Sequence, residues 1–356
     1  MSLRSSEGPL SRCYDVALLD LDGVVYVGPD AVPAAPAALA QARADGLRLA
    51  FVTNNAARPA AAVAAHLTAL GVSAHASDVT TSSQAAAHYL AERLPPGAKV
   101  LVVGTTGLTE ALTERGLTAV ASADDEPVAV VQGYSPTVDW PLLAEGAVAI
   151  RRGLLWVATN LDATVPSPRG PLPGNGSLVA ALRHATGATP VSTGKPDPTM
   201  HRESVERSGA RHPIVVGDRL DTDIEGAHAV GCASLLVLSG VTTPADLVRA
   251  APQHRPDYLA RDVAGLLVNH AAPERQADGY HCGQWVVADS MRLSRRPAEG
   301  RSRPQPDGDP ASDGDLEALR AICAATWAAL DRGQDVAVQA GDEQAAETLS
   351  RLGLSS

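Results

Sequence analysis

Residues 16–26 read VALLDLDGVVY, an apolar run that stops at Asp20 and is followed at once by a second carboxylate, Asp22. Continuous apolar runs are typical of strands in a parallel sheet, because helices cover both faces of such a sheet. Residues 47–52 form a second run, and the Ala-rich segment 34–44 between the two predicts a helix. This order predicts an α/β fold whose chemistry lies at the carboxyl ends of parallel strands.

The same pattern returns late in the chain, where 213–217 and 235–238 are again apolar. Between the two halves, residues 99–158 alternate strand-like and helical patterns, so that about 100 residues are inserted, which is a domain rather than a loop. The predicted domains are a core of residues 1–83 and 188–269, an inserted α/β cap of residues 84–187, and a C-terminal module of residues 270–356.

Composition excludes several classes of protein. The 356 residues carry 29 basic and 40 acidic side chains, a net charge of −11, which argues against nucleic acid or an anionic membrane surface as the main partner. No run approaches the roughly 18 apolar residues of a membrane helix, and the first residues lack a signal-peptide core. The four cysteines form no CxxC pair. We therefore expect a cytoplasmic protein, and a homo-oligomer remains open.

Four short motifs carry the chemistry. They are DLDG at 20–23, TNN at 53–55, TGKP at 193–196 and GDRLDTDI at 217–224. Each alone is typical of an ordinary turn or a solvated surface. Together they are informative, because each begins at or just after an apolar strand or opens a helix.

These residue types suit the hydrolysis of a phosphate monoester. Of two carboxylates one residue apart, Asp20 and Asp22, one can attack phosphorus while the other protonates the leaving oxygen. Mg²⁺ removes the repulsion between carboxylates and phosphate, and Asp218 supplies a further ligand. Lys195 and the Thr53 hydroxyl offset the charge that develops on the transferred group.

As a set, the motifs resemble those of the haloacid dehalogenase superfamily. DLDGVVY, TNN and VGDRLDTDI, with the large insertion, are similar to the subgroup of NagD-like and p-nitrophenyl-phosphatase-like enzymes, over roughly residues 14–269. The resemblance implies a Rossmann-like core with a parallel sheet and an inserted α/β cap of the C2 type. It also implies a small phosphorylated metabolite as substrate. Similarity to actinobacterial enzymes favours glycerol 3-phosphate, with phosphoglycolate or pyridoxal phosphate as alternatives.

The resemblance also assigns roles to individual residues. Asp20 corresponds to the nucleophile that forms an aspartyl-phosphate, and Asp22 to the general acid/base whose backbone carbonyl binds the metal. Thr53 and Lys195 correspond to the pair that holds the phosphate. The expected Mg²⁺ ligands are Asp20, Asp22 and Asp218, while Asp223 binds through water or orients Lys195. Asp221 is expected to be structural or on the surface. Arg58 is expected on a helix surface, with a phosphate contact as the alternative.

Substrate selection is expected in the cap. The loops at 159–162 and 173–177 resemble the family's cap loops, although ordinary turn chemistry also explains them. The predicted phosphate- and substrate-binding residues are Gly23, Thr53, Asn54, Asn55, Lys195, Asn160, Asp162, Gly174 and Asn175.

The C-terminal module reads as strand 284–293, helix 315–331, strand 335–340 and helix 342–352. Its last part loosely resembles the second half of a GNAT-type acetyltransferase fold. A Pro-rich, charged segment, 295–314, replaces the family's Gly-rich loop and is expected to be mobile, and Ser350 stands where the family has Tyr. We therefore expect a partial GNAT-like module without acetyl transfer, which serves packing, dimerisation or regulation. The alternative is a phosphatase scaffold whose tail senses acyl-CoA or a partner.

Overall fold

The computed structural model describes residues 3–165, 169–296 and 314–355. The strands are β1 (Val16–Leu19), β2 (Tyr26–Val27), β3 (Asp30–Ala31), β4 (Arg48–Thr53), β5 (Val79–Thr81), β6 (Lys99–Val103), β7 (Thr118–Val120), β8 (Ala129–Gln132), β9 (Leu155–Ala158), β10 (Thr164–Val165), β11 (Leu172–Pro173), β12 (Val191–Ser192), β13 (Pro213–Gly217), β14 (Ala233–Val237), β15 (Tyr258–Ala260), β16 (Glu274–Gln276), β17 (Gly279–Cys282), β18 (Trp285–Ala288), β19 (Arg292–Arg295) and β20 (Gln339–Ala340). The α-helices are α1 (Leu10–Cys13), α2 (Ala35–Ala44), α3 (Ala60–Ala69), α4 (Ser82–Ala91), α5 (Thr106–Glu114), α6 (Trp140–Arg151), α7 (Asn175–Thr186), α8 (Pro198–Ser208), α9 (Glu225–Ala229), α10 (Pro244–Val248), α11 (Gly314–Leu330) and α12 (Glu343–Arg351).

The core is a six-stranded parallel sheet in the order β15-β14-β13-β1-β4-β5. Its central strand β1 is buried at every residue, because α2 and α3 cover one face while α8 and α9 cover the other. The parallel sheet predicted from the apolar runs is confirmed. Asp20 and Asp218 directly follow the neighbouring strands β1 and β13, and Thr53 ends β4 on the other side of β1.

The inserted part has its own parallel sheet, in the order β12-β9-β8-β6-β7. Helices α4 and α5 pack on one face, and α6 and α7 on the other. Since β12 (Val191–Ser192) pairs with β9, the inserted sheet extends past residue 187. We propose that the cap ends near residue 192 rather than at the 187/188 boundary expected from the sequence.

The C-terminal module is a five-stranded sheet in the order β16-β17-β18-β19-β20. Here the prediction of one strand over 284–293 is wrong. β18 and β19 form an antiparallel hairpin, with Trp285 opposite Arg295, and Met291 turns the chain at φ 59°. The predicted strand 335–340 shrinks to Gln339–Ala340, which pairs parallel with β19. Most of the predicted mobile loop, 297–313, lies outside the described residues.

Helix α11 joins the module to the core. The stripe of Leu316, Leu319, Cys323 and Trp327 packs against core residues such as Leu236 of β14 and Leu259 of β15. Its opposite stripe, Ala318, Ala321, Ile322 and Ala325, packs on the module's own sheet. The helix is therefore buried on two sides. Within the described part of the chain, no helix combines the length and the apolar character needed to cross a membrane.

Candidate active site

Lys195 is the centre of a buried ionic cluster at the carboxyl edge of the core sheet. Its ammonium donates to Asp20 Oδ1 at 2.5 Å, to Asp223 Oδ1 at 2.7 Å and to the Val52 carbonyl at 3.3 Å. Burial alone would lower the pKa of Lys195, but the carboxylates of Asp20 and Asp223 outweigh burial and raise this pKa above its usual value. The ammonium therefore stays charged. Of the two roles left open for Asp223, this contact supports the orientation of Lys195.

Three carboxylates crowd this cluster. Asp20, Asp218 and Asp223 each offer an oxygen, and the three atoms lie within 4.8 Å of one another. Burial raises the pKa of Asp20 well above its ordinary value, although Lys195 opposes the rise. Burial, followed by the charge of Asp223, raises the pKa of Asp218 to about 6. Their mutual repulsion calls for a cation beyond the single ammonium.

Asp218 provides the test of whether a divalent metal fits. Its Oδ2 accepts a hydrogen bond from the Val241 N–H at 2.6 Å, whereas its buried Oδ1 has no hydrogen-bond partner. An orphaned carboxylate oxygen among other carboxylates is well suited to a hard cation that prefers oxygen ligands. The residues present therefore fit Mg²⁺, with Asp20 and Asp218 as the expected side-chain ligands.

Asp22 lies beside the cluster on its solvent-accessible side. The surrounding protein still removes enough water from this carboxyl to raise its pKa, while the nearby positive charges of Lys195, Arg58 and His66 oppose the rise. A raised pKa increases the protonated fraction near neutral pH, which is what a general acid requires.

Gly23 closes the turn that carries the two aspartates. Its φ of 82° lies in the left-handed region, and a Cβ at this position would lie 2.4 Å from Asp218 Oδ2. The Gly23 carbonyl accepts a hydrogen bond from the Ser239 hydroxyl at 2.6 Å. Glycine is therefore required here so that the DLDG turn can approach Asp218.

Asn54 connects the core, the lysine loop and the cap. Its Oδ1 accepts from the Lys195 N–H at 2.9 Å, and its Nδ2 donates to the Lys195 carbonyl and to Asp162 Oδ2, both at 3.2 Å. Its own carbonyl accepts from Asn160 Nδ2 at 2.7 Å. The cap residues Asn160 and Asp162 thus both form hydrogen bonds with Asn54 of the core.

The remaining cap residues support this contact. Asn175, at the start of α7, donates to the Asn160 carbonyl at 2.8 Å. Gly174 precedes it, and a Cβ there would lie 2.4 Å from the Asp162 carbonyl. Burial raises the pKa of Asp162, whereas its bond with Asn54 lowers it. The structure therefore places the loops 159–162 and 173–177 together above Asn54.

Four residues singled out from the sequence lie beside the ionic cluster or outside it. Thr53 is buried and its hydroxyl oxygen accepts from the Asn55 N–H at 3.1 Å, which leaves the hydroxyl proton available to a ligand. The Asn55 side chain only closes a local turn onto the Ala57 N–H at 2.8 Å. Asp221 is exposed and pairs with Arg219 at 2.9 Å. Arg58 is exposed near Asp22, but it lies in the bend before α3, so its expected place on a helix surface is wrong.

Two glycines in the motifs had no role assigned from the sequence. A Cβ on Gly194 would lie 2.2 Å from the Thr159 carbonyl, and one on Gly217 would lie 2.2 Å from the Asp223 Cβ. Gly194 lets the lysine loop pass under the cap, and Gly217 lets Asp223 fold back toward Lys195. Each glycine lies inside one of the four sequence motifs, and this position is the feature of the sequence that could indicate its role.

Comparison with known proteins agrees with this geometry. A family model described as haloacid dehalogenase-like hydrolase matches residues 17–118, and a HAD-hydrolase-like model matches residues 192–266. These two ranges contain the aspartates, Thr53 and Lys195. The chain belongs to the haloacid dehalogenase-like hydrolases. The gap between the matches contains most of the inserted sheet.

Relatives of this hydrolase cover either nearly the whole chain or about seven tenths of it. The D-glycerol 3-phosphate phosphatase of Mycobacterium tuberculosis is 45% identical over 97% of this chain and 96% of its own. A crystal structure of the glycerol phosphate phosphatase from that organism in complex with magnesium has a TM-score of 0.84 at 42% identity, covering 98% of this chain and 99% of its own. The p-nitrophenyl phosphatase from Archaeoglobus fulgidus has a TM-score of 0.66 at 30% identity, covering 71% and 98%.

The C-terminal module has its own match. A GCN5-related N-acetyltransferase like domain matches residues 298–354. The predicted resemblance to this fold is therefore confirmed, and it falls on the part of the chain that begins with the segment before α11.

Proposed function

We propose that this hydrolase cleaves small phosphate monoesters with Mg²⁺ and that glycerol 3-phosphate is its main substrate. The observation that carries the proposal is the buried cluster of Asp20, Asp218 and Asp223 around Lys195. A nucleophilic carboxylate, a fixed ammonium and a place for a divalent cation meet there at one sheet edge.

In this proposal, Asp20 Oδ attacks phosphorus and the bond to the leaving oxygen breaks, which gives an aspartyl-phosphate. Asp22 donates its proton to the leaving oxygen, and it later takes a proton from the water that hydrolyses the aspartyl-phosphate. Bound Mg²⁺ supplies positive charge that offsets the repulsion between the carboxylates and the phosphate. Lys195 and the Thr53 hydroxyl hold phosphate oxygens, while Asp223 keeps Lys195 in place.

The substrate is inferred from similarity over nearly the full chain. The relative named for D-glycerol 3-phosphate shares 45% identity across 97% of this chain, whereas an acid sugar phosphatase of Staphylococcus saprophyticus shares 34% across 70%. The first relative spans the C-terminal module as well. Phosphoglycolate and pyridoxal phosphate remain the alternatives. A cytoplasmic location and a homo-oligomer remain predictions from the sequence.

The test is a steady-state comparison of phosphomonoesters with the full-length protein and Mg²⁺. We expect the highest kcat/KM for one enantiomer of glycerol 3-phosphate, and a loss of at least about 10³-fold in kcat for Asp20→Asn. Asp221→Asn is the matched control. It makes the same chemical change at an exposed ion pair, three positions after Asp218 and two before Asp223 in the sequence. Asp20→Asn turning over at the wild-type rate would refute the mechanism.

The match to an acetyltransferase-like domain favours one second function, a tail that senses acyl-CoA. Calorimetry of the full chain with acetyl-CoA tests it. No heat at millimolar ligand would leave the module with its packing role against the core.

A further inference from the structure

A half-open cavity lies at the opposite end of the core sheet from the catalytic cluster. It has a volume of about 620 Å³ and is lined by the first residues of β1 and β4, the last turns of α2 and α8, and the segment before β5. Along β1, Val16 in this cavity and Asp20 in the cluster are four residues apart, roughly 13 Å at 3.3 Å per residue. The volume is typical of sites for small metabolites.

The cavity is cationic although the chain is strongly acidic. Three arginines line it, Arg43, Arg48 and Arg207, against one carboxylate, Asp78. The arginines and the aspartate that line the cavity sum to +2, and Asp15, which pairs with Arg48 from outside the lining, reduces this to +1, while the whole chain carries −11. The Asp78 carboxylate is already engaged, because it accepts from the His75 N–H at 2.9 Å.

The arginines keep donors available. Arg43 donates to the Ser73 carbonyl at 2.5 Å and has a second nitrogen 4.0 Å from Asp78 Oδ2. Arg48 donates to the Ser208 carbonyl and, at 3.4 Å, to Asp15 Oδ2. Each of these two arginines therefore uses part of its guanidinium within the chain. Within the described ranges, the exposed guanidinium of Arg207 has no hydrogen-bond or ion-pair partner in the chain. A guanidinium presents five N–H donors in a planar fork that matches phosphate oxygens.

Buried hydroxyl groups line the same cavity. Ser204 is 1% exposed and its Oγ has no hydrogen-bond partner, and Thr80 is 3% exposed. A buried hydroxyl without a partner carries a free-energy cost, which a ligand acceptor would remove. The arginine side chains and the unsatisfied Ser204 hydroxyl are together a donor set that suits a phosphate group.

We propose that this cavity binds the phosphate group of a small phosphorylated metabolite at a second, non-catalytic site. Arg207 is the principal ligand contact, with Arg43, Arg48 and the Ser204 hydroxyl around it. The volume exceeds what one phosphate ion needs, so an organic phosphate fits better than the free ion.

Equilibrium dialysis with radiolabelled inorganic phosphate, on the full-length protein with Mg²⁺, tests the site. We expect Arg207→Gln to lose one bound phosphate per chain or to weaken its Kd at least about tenfold. Arg202→Gln should bind as the wild type does, because Arg202 is exposed on the same helix but does not line the cavity. Repeating the titration with a non-hydrolysable alkylphosphonate separates the two sources, since tighter phosphonate binding indicates an organic phosphate and tighter phosphate binding indicates the free ion.

Two sites in the wild type and one in Arg207→Gln support the proposal. One site in the wild type and none in Arg207→Gln also supports it, and would show that the catalytic cluster does not retain phosphate. Equal binding by Arg207→Gln and the wild type would overturn it. Thermal melting is recorded for each variant, and Arg207→Lys, which keeps the charge without the fork, replaces Arg207→Gln if the latter melts early.

Discussion

His201 allows a quantitative prediction about acid stability. Its ring lies on α8 beneath the lysine loop, is 1% exposed, and has no hydrogen-bond partner for either nitrogen. It packs against the backbone at Gly226, where a Cβ would lie 2.8 Å from Nε2. Burial, with a smaller contribution from the charge of Lys195, lowers the pKa of His201 from 6.5 to about 3. The folded protein therefore holds this imidazole neutral.

Acidification destabilises the folded protein through His201. Between pH 3 and 6.5 the unfolded chain binds a proton at His201 that the folded chain does not, so stability is full above pH 6.5 and falls as the pH is lowered. Each unit below 6.5 costs about 1.4 kcal/mol, which gives about 2 kcal/mol at pH 5.0. Replacing His201 by Met, an apolar side chain of similar size, removes this loss because nothing is left to protonate.

Urea unfolding at pH 7.5 and pH 5.0 measures the effect. Other groups also titrate over this range, so the informative quantity is the difference between the wild type and His201→Met in the free energy of unfolding lost on acidification. We expect the variant to lose about 2 kcal/mol less than the wild type. His184→Gln, at an exposed histidine, should behave as the wild type does. If His201→Met and the wild type lose the same free energy, burial does not keep the ring neutral and the reasoning fails.

Three further predictions concern the site and the tail. Asp223→Asn should lower kcat/KM by about 100-fold, because Lys195 loses a charged partner, while the melting temperature stays similar. Steady-state kinetics and a melting curve test this, and either an unchanged kcat/KM or a large drop in melting temperature would contradict it. Asn54→Ala should lower kcat/KM by about tenfold while Asn55→Ala stays within about twofold, since only the first links the lysine loop to the cap; equal effects would argue against that link. A chain ending at residue 269 should be aggregated in size-exclusion chromatography, because it exposes the core face that α11 covers, and a monodisperse, active fragment would contradict this expectation.

Much of the catalytic edge could be predicted from the sequence. Strands that are buried on both faces appear as apolar runs, and the residue that interrupts each run marks the carboxyl end of a strand. Asp20, Thr53 and Asp218 were found in this way, and the parallel pairing of β1 with β4 and β13 places them on one edge. The predicted helix over 315–331 likewise agrees with α11.

Other features depend on contacts that no local pattern encodes. Asn54 forms hydrogen bonds with residues more than 100 positions away in the sequence. Its neighbours in the sequence therefore do not indicate that it connects the lysine loop to the cap. The hairpin over 285–295 resembles a single strand in the sequence, because the polar pair Asp289 and Ser290 interrupts the pattern only briefly. The second buried side of α11 consists mainly of alanines. Alanine is a common helix former on exposed and buried faces alike, so it does not mark a buried face in the sequence.

The two-sided burial of α11 bears on how freely this protein can vary. A substitution on the leucine stripe must suit the hydrolase core, and one on the alanine stripe must leave room for the sheet beside it. Larger side chains at Ala318 or Ala321 would separate the two layers. Helix α11 must therefore match both the hydrolase core and the module's sheet. A C-terminal module from a homologue could replace this one only if the native α11 stays with the core that it covers.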